Sequence, residues 1–428
     1  MRSAGSEPEG RSGRAASRFP LGAAVTMDDL DGELHALLHR LRAREPVSWL
    51  PVLGGWLVTR RDLALQVLRD SGAFTVDDPR FSTARVIGPS MLSLDGAEHK
   101  RHRDPFAEAF RTGAAAARLE EAAEAEAGRL VAGFAAAGGA EVRRSLAGPL
   151  AVAVVADVLG LGQTDPRAIL GWYDEIVGAV SALAGQSGED HQPGRAAGGS
   201  AAFAELSASL RAAMASAHGA CGPHGARGAR AHSLLAAAAG AGGLGDAEVV
   251  SNAAVLMFGG IETTEGMICN AVLHLLGHPA QLAGVIADTR LVANAVEESL
   301  RLEPAAAVVD RYATADVALA GASIRRGDLV TVSLAGANRD PAAFADPDRF
   351  DARRATARQN LAFAHGPHFC LGAQLARAET RAAVAALLRL PGLRLDPASR
   401  PVPRGVVFRK PPALHVLWDA PAPSGSQL

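Results

Sequence analysis

One run, DAEVVSNAAVLMFGGIETTEGMICNAVLHLLGHP, from Asp246 to Pro279, constrains this chain more than any other part of it. Its apolar residues recur at helical spacing on most sides, Asp246 can cap the start, and Pro279 stops propagation. A helix of about thirty residues that is apolar on most sides must cross the middle of a globular protein. Any fold for the chain has to wrap around that rod. Yet the rod carries Gly259 and Gly260 side by side, at about 1 kcal/mol each relative to alanine, followed by Glu262, Thr263 and Thr264. A carboxylate and a hydroxyl among apolar residues are costly unless they bind something. Two readings stay open at this point: a glycine-kinked helix whose threonines bond back to carbonyls, or a pocket for a small polar molecule such as dioxygen with a proton relay beside it.

The rest of the chain supplies mostly helices. Residues 97–137, 142–160, 165–184 and 201–218 show helical apolar spacing rich in alanine, and 287–304 gives another helix ending at Pro304. PVSWLPVLGGWLVTRRDLALQVLRD (46–70) reads as strand, Gly-Gly turn, strand and helix, and short strand-like pieces fall at 306–312, 316–324 and 328–334. Residues 185–199 read as a Gly-rich loop, with 219–245 looser still. No internal repeat or domain linker is visible. The expected fold is a single large domain over 27–428, mainly α with small β-sheets and a long central helix, preceded by a disordered extension over 1–26, with Met27 just after it as an alternative start.

Composition excludes several classes. With 428 residues, 48% apolar, and a net charge of -2, nothing draws the chain to nucleic acid or an anionic membrane. No run reaches the roughly 18 apolar residues of a membrane span, and the arginine-bearing N-terminus lacks the apolar core of a signal peptide. Three cysteines without a CxxC pair fit a reducing cytoplasm, with neither a disulfide framework nor structural zinc. Cys221 reads as an incidental loop thiol and Cys269 as a small buried hydrophobe.

Cys370 is different. It lies in FAHGPHFCLG (363–372), between glycines, just before the helical LGAQLARAETRAAVAALLRL. A sulfur at a helix N-terminus is stabilised as thiolate by unpaired amides and the helix dipole. Gly366 and Gly372 let backbone approach something flat or bulky. Spacing alone leaves metal ligation, nucleophilic catalysis with His365 or His368 as base, and an inert buried thiol all open. Elsewhere, Glu298 and Arg301 of EESLR share a helix face, as do His99 and Arg103 of EHKRHR. Together His99, Arg103, Arg311 of VDRYA and His368 suit a ligand with two carboxylates, and haem has two propionates.

These pieces, in this order, resemble the bacterial cytochrome P450s, soluble haem-thiolate monooxygenases of actinomycete type, over about residues 30–418. Phe363, Gly366, His368, Cys370 and Gly372 match the family's cysteine loop, GGIETT its oxygen-activation motif, ESLR its Glu-x-x-Arg pair, and ANRDP (337–341) another familiar piece. The resemblance implies haem b ligated by Cys370, Glu262 and Thr263 as acid and alcohol of a proton relay, and Glu298 and Arg301 locked with Arg349 of DPDRF. There are two departures. Ala364 stands where glycine is commoner, which is tolerated unless the backbone there needs positive φ, and Glu262 replaces a commoner aspartate.

The resemblance further implies hydroxylation or epoxidation of a small apolar substrate, a polyketide, terpenoid, macrolide-like or similar secondary metabolite, by a monomeric cytoplasmic enzyme that uses dioxygen. Electrons would come from a ferredoxin and its reductase, docking on Lys100, Arg101, Arg353, Arg354 and Arg377. Pocket walls fall by position on loop 79–93, the 185–199 connection, Leu256, Phe258 and Gly259, on Ala305, Ala306, Val308 and Val309, and on Val406 and Val407. Competing readings are a P450-type coupling or ring-forming enzyme, a peroxide-using one, and a non-catalytic relative that supports a biosynthetic partner. The last commonly loses the cysteine or the threonine, and this chain keeps both.

Overall fold

In the computed structural model, residues 17–111, 113–184, 193–219 and 233–419 are described. The central helix runs unbroken over Asp246–Leu276, opened by Gly245, whose N–H donates to Glu248 Oε2 (2.9 Å), and closed at Gly277 ahead of Pro279. Its partners are numbered along the chain: α1 (Leu34–Arg44), α2 (Arg61–Arg69), α3 (Gly96–Arg111), α4 (Gly113–Phe134), α5 (Gly148–Leu159), α6 (Pro166–Ala184) and α7 (Pro193–Gly219) precede it. The central helix is α8, and α9 (Pro279–Ala287), α10 (Val292–Leu302) and α11 (Ala373–Leu387) follow. One apolar core joins α4 to α8 and α11 through residues such as Leu150, Leu206, Ile261, Ile268 and Leu387.

The β-structure is small and stands to one side. Strands β1 (Val47–Leu50), β2 (Gly55–Val58), β3 (Phe74–Thr75), β5 (Val308–Ala313) and β8 (Leu329–Ser333) form one sheet in the order β1-β2-β8-β5-β3, parallel only between β2 and β8. Alternation sends Val58, Val330 and Val332 to one face, against Leu63 and Val67 of α2, and Leu50 and Leu57 to the other, against Leu37 and Leu41 of α1. Strands β4 (Gly139–Glu141), β9 (Arg394–Leu395) and β10 (His415–Leu417) form a second sheet, and β6 (Val317–Leu319) and β7 (Ala322–Ile324) a hairpin.

The expected disordered extension is corrected where it is described. Phe19 is buried edge-on against Trp56, with centroids 5.3 Å apart, and the N–H groups of Leu21 and Gly22 donate to the Glu45 carboxylate (2.9 Å each). Likewise 193–199, read as loop, opens α7, because Gly198 and Gly199 remove the side chains that would collide with Glu175 and Ala179 of α6. Residues 185–192 and Cys221 lie outside the described residues. Within 219–245, a short helix spans Leu234–Gly240, capped by Ser233. Cys269 is buried within the apolar core.

Candidate functional site

The central helix is buried almost all round from Val249 to Val272, but Leu256, Gly259, Gly260 and Thr263 are partly exposed. Positions 256, 259/260 and 263 share one stripe of a helix, so the rod opens to a hollow along one face. The two glycines serve different ends. A Cβ at Gly260 would stand 2.7 Å from Val155 Cγ2 of α5, whereas one at Gly259 would meet nothing within 4 Å. Gly260 admits a neighbouring helix and Gly259 leaves space.

One turn beyond Thr263, Met267 packs with Phe363, Ala373 and Ala376, the residues flanking Cys370 in the chain. The hollow therefore lies on the cysteine side. Cys370 N donates to Phe363 O (3.0 Å), closing a loop that contains a 3-10 turn at Gly366–His368. Gly366 has φ 75 and lies against the Leu68 carbonyl, where no side chain would fit. Ala364 has φ 57, so the backbone does need the left-handed region at this position, and the expected tolerance comes with strain. Cys370 is an exposed free thiol next to the start of α11. Although its surface is open, the protein atoms packed around the sulfur desolvate it and push the thiol up, while the Gly372 N–H and the charges of Arg103 and Arg377 work the other way, toward thiolate. Among the described residues no cluster of His, Cys, Asp and Glu could hold a metal ion. A metal at Cys370 would have to bring its other ligands in a prosthetic group.

Candidates for two carboxylates converge beside it. The rings of His99 and His368 lie against each other at a tilt of 38°, centroids 4.3 Å apart, and Arg103 Nη2 donates to Phe369 O (2.6 Å). Arg311, on β5, is buried and makes no ion pair among the described residues; its Nη1 donates to Asp310 O (2.7 Å). His99 Nε2 is buried without a partner, and burial, with His368 and Arg103 nearby, pushes the ring down to about 4. His368 Nε2 is bound to Asp95 Oδ1 (2.8 Å), a residue sequence reasoning missed. An orphaned buried nitrogen and an unmatched buried guanidinium beside an open thiol fit a haem with its propionates.

The Glu-x-x-Arg pair is buried, but its expected third member is corrected. Arg301 donates to Glu298 through Nε and Nη2 (2.8 Å each), and Arg354 Nε, not Arg349, reaches Glu298 Oε1 (2.8 Å). Arg349 points to Asp351 (3.2 Å) with its side chain 65% exposed, and contributes only its carbonyl, which accepts from Arg301 and Arg354. The ANRDP piece wires this region: Asn338 O accepts from Arg301, Asn338 Oδ1 from Leu361 N, and Asp340 from Arg61 N at the start of α2.

Glu262 and Thr263 both have partners. Thr263 Oγ1 donates to Gly259 O (2.5 Å), the back-bond that the plainer reading foresaw. Glu262 Oε1 lies 2.7 Å from Lys410 Nζ, which is 2.6 Å from Glu265 Oε1, itself paired with Arg143. Lys410, Glu265 and Arg143 carried no signal in the sequence.

The expected walls are sorted by burial. Phe258 is buried edge-on against Phe408 (5.7 Å), a residue not anticipated, and Ala305 is buried with Met267 and Phe363. Ala306 bridges Phe408 and is partly exposed, as are Val308 and Val309, while Val406 packs toward Leu30 and Leu34 and Val407 is exposed. Most of the expected docking set has partners within the chain. Arg377 is paired with Glu297 (2.6 Å) over the Phe363 ring, Arg354 is committed to Glu298, and Arg101 to Glu98 and Glu248. Lys100, paired with Asp104, and Arg353 remain exposed.

A thiol open to a hollow, a buried imidazole nitrogen without a partner beside it and a polar notch in a central helix are the features a haem-thiolate protein needs. The family model "Cytochrome P450" matches residues 228–415. The chain is 35% identical over 399 residues, 90% of each chain, to cytochrome P450 monooxygenase PikC of Streptomyces venezuelae. It is 33% identical over 392 residues, 88% of this chain and 94% of the other, to mycinamicin IV hydroxylase/epoxidase of Micromonospora griseorubida. The crystal structure of CalO2 superposes with a TM-score of 0.81 at 32% identity, covering 92% of this chain and 98% of that one. The chain belongs to the cytochrome P450 family and is a P450 monooxygenase that binds protoporphyrin IX haem.

Proposed function

We propose that this P450 hydroxylates or epoxidises an apolar secondary metabolite of polyketide, terpenoid or macrolide-like class, with electrons from a ferredoxin and its reductase. The observation that carries the reading is the open stripe of Leu256, Gly259, Gly260 and Thr263 on an otherwise buried helix, facing the Cys370 side. One relative supports the substrate class by name, the mycinamicin IV hydroxylase/epoxidase; the Streptomyces relative, named as a P450 monooxygenase, supports the reaction.

Cys370 supplies the thiolate, and His99, Arg103, Arg311 and His368 receive the propionates. When bound, a thiolate-ligated haem supplies the electron-rich centre at which dioxygen is activated and its O–O bond cleaved. Gly259 leaves room for that small molecule, and Leu256 with partly exposed Ala306 and Val309 gives an apolar wall that excludes water. Thr263 holds a proton at Oγ1, given to the Gly259 carbonyl at rest and available to the hollow after one χ1 rotation. Glu262 restores that proton through water, an acid-base role for which its carboxylate must leave Lys410.

The test is electron accounting. Thr263→Ala raises peroxide released per reduced nicotinamide consumed, at a rate of substrate-dependent reduction close to wild type. Unchanged coupling would remove Thr263 from the relay. Candidate metabolites are ranked by the shift in haem spin state they cause, and failure of every apolar candidate, with polar ones active, would overturn the substrate class.

A further inference from the structure

We infer that Asp95 is a positioning residue for the haem carboxylates, the joint that holds in one register the pieces of backbone carrying His99, Arg103, Arg311 and His368. The inference rests on the reading of those four residues as propionate partners. Asp95 immediately precedes α3, and its carbonyl accepts from His99 N (3.3 Å). Its Oδ2 accepts from Thr75 Oγ1 (2.6 Å) and Val76 N (2.8 Å). That bond fixes the edge strand β3, which pairs with β5 at Thr75 and Tyr312, next to Arg311. Its Oδ1 accepts from His368 Nε2 (2.8 Å), inside the cysteine loop. One residue thus joins α3 to the cysteine loop directly and to β5 by way of β3.

The chemistry of the contact is as telling as its position. A carboxylate set among cationic side chains would ordinarily pair with an arginine and compete with an anionic ligand. Here its oxygens are taken up by Thr75, Val76 and His368, and Arg311, although within its field, makes no ion pair among the described residues. Burial pushes the Asp95 carboxyl up, but those three bonds outweigh it and hold it below the usual carboxylate range. With Nε2 committed to Asp95 and the ring tilted against His99, His368 keeps only Nδ1–H to offer a carboxylate ligand. Asp95 so fixes which nitrogen of the imidazole is left for a ligand, as partners of ligating histidines do in metal sites.

The test is haem retention, read independently of turnover. Purified holoproteins are mixed with excess apomyoglobin and haem transfer is followed in the Soret band. Asp95→Ala is expected to speed haem loss about 10- to 100-fold, the usual scale for such outer partners. Asp95→Asn, which keeps an oxygen acceptor for His368, is expected to lose haem at an intermediate rate, and it serves alone if the alanine variant does not fold. In a cycle with His368→Phe, the double variant should lose haem more slowly than the product of the two single effects, the part that survives reporting the Thr75 and Val76 bonds. Wild-type haem loss in both Asp95 variants, or effects that multiply in the cycle, would overturn the inference. If the wild-type chain itself gives no thiolate-type carbon monoxide band, the reading of the site fails and this inference with it; if it does and Asp95 is silent, only this inference fails.

Discussion

Lys410 Nζ lies 2.7 Å from Glu262 Oε1, so the carboxylate expected to feed protons to the oxygen site rests in an ion pair with a residue from the C-terminal segment. Both side chains are nearly buried, and the same ammonium sits 2.6 Å from Glu265. Removing one member of a buried pair leaves an uncompensated charge, at a cost of about 3–5 kcal/mol. Lys410→Met should therefore lower unfolding free energy by about 3 kcal/mol in urea titrations, and adding Glu262→Gln should recover most of it. A Lys410→Met protein as stable as wild type would show that the pair is solvated.

Arg354 and Arg349 stand five residues apart with opposite expected effects. Arg354 is bonded to Glu298, which is fully buried, whereas Arg349 lies open beside Asp351. Arg354→Ala should cost about 3 kcal/mol or prevent haem incorporation, and Arg349→Ala should stay within about 0.5 kcal/mol. Urea unfolding of the two holoproteins checks this, and equal losses would contradict the arrangement.

Ala364 holds φ 57, which costs an L-residue about 1–2 kcal/mol. Ala364→Gly relieves that strain but adds freedom to the unfolded chain worth about 0.4–1 kcal/mol. The expected net is stabilisation of up to about 1.5 kcal/mol, while Ala364→Val destabilises. Thermal melts of the three proteins would show the order Gly, Ala, Val, and a less stable glycine variant would contradict it.

His274 is pushed down to about 3 by burial, while its ring bonds Ser299 Oγ (2.9 Å) and stacks on Phe350. Folding keeps this ring neutral, so below the ordinary histidine value of about 6.5 the unfolded chain takes up a proton that the folded chain refuses. Its share of stability is intact above that value and falls by about 1.4 kcal/mol per pH unit between about 6 and 4. Unfolding titrations across that range should show a shallower decline in His274→Gln than in wild type. Parallel declines would mean that the ring protonates in place.

The sequence showed what periodicity and local chemistry can encode. The central helix is bounded within two residues of its reading, the strand pieces at 306–334 are strands, and Cys370 sits in a glycine-bracketed turn before a helix. Partner choice across long separations was not legible. DPDRFDARR offers three arginines, and which one reaches Glu298 depends on the path of the loop, settled by carbonyls of 345, 346 and 349 that accept from Arg354. Lys410 is a lone lysine far along the chain from Glu262, and Asp95 before a helix reads as an ordinary cap. Gly198 and Gly199 read as loop because glycine is a poor helix former, and close packing on α6 overrides that preference.

The most direct test of the account is the carbon monoxide difference spectrum of the dithionite-reduced protein, wild type beside Cys370→Ala. Thiolate ligation by Cys370 predicts a strongly red-shifted Soret band in wild type that is absent from the variant. A band at the unshifted position in wild type, or the same red shift in both proteins, would contradict the assignment of Cys370 as the haem ligand.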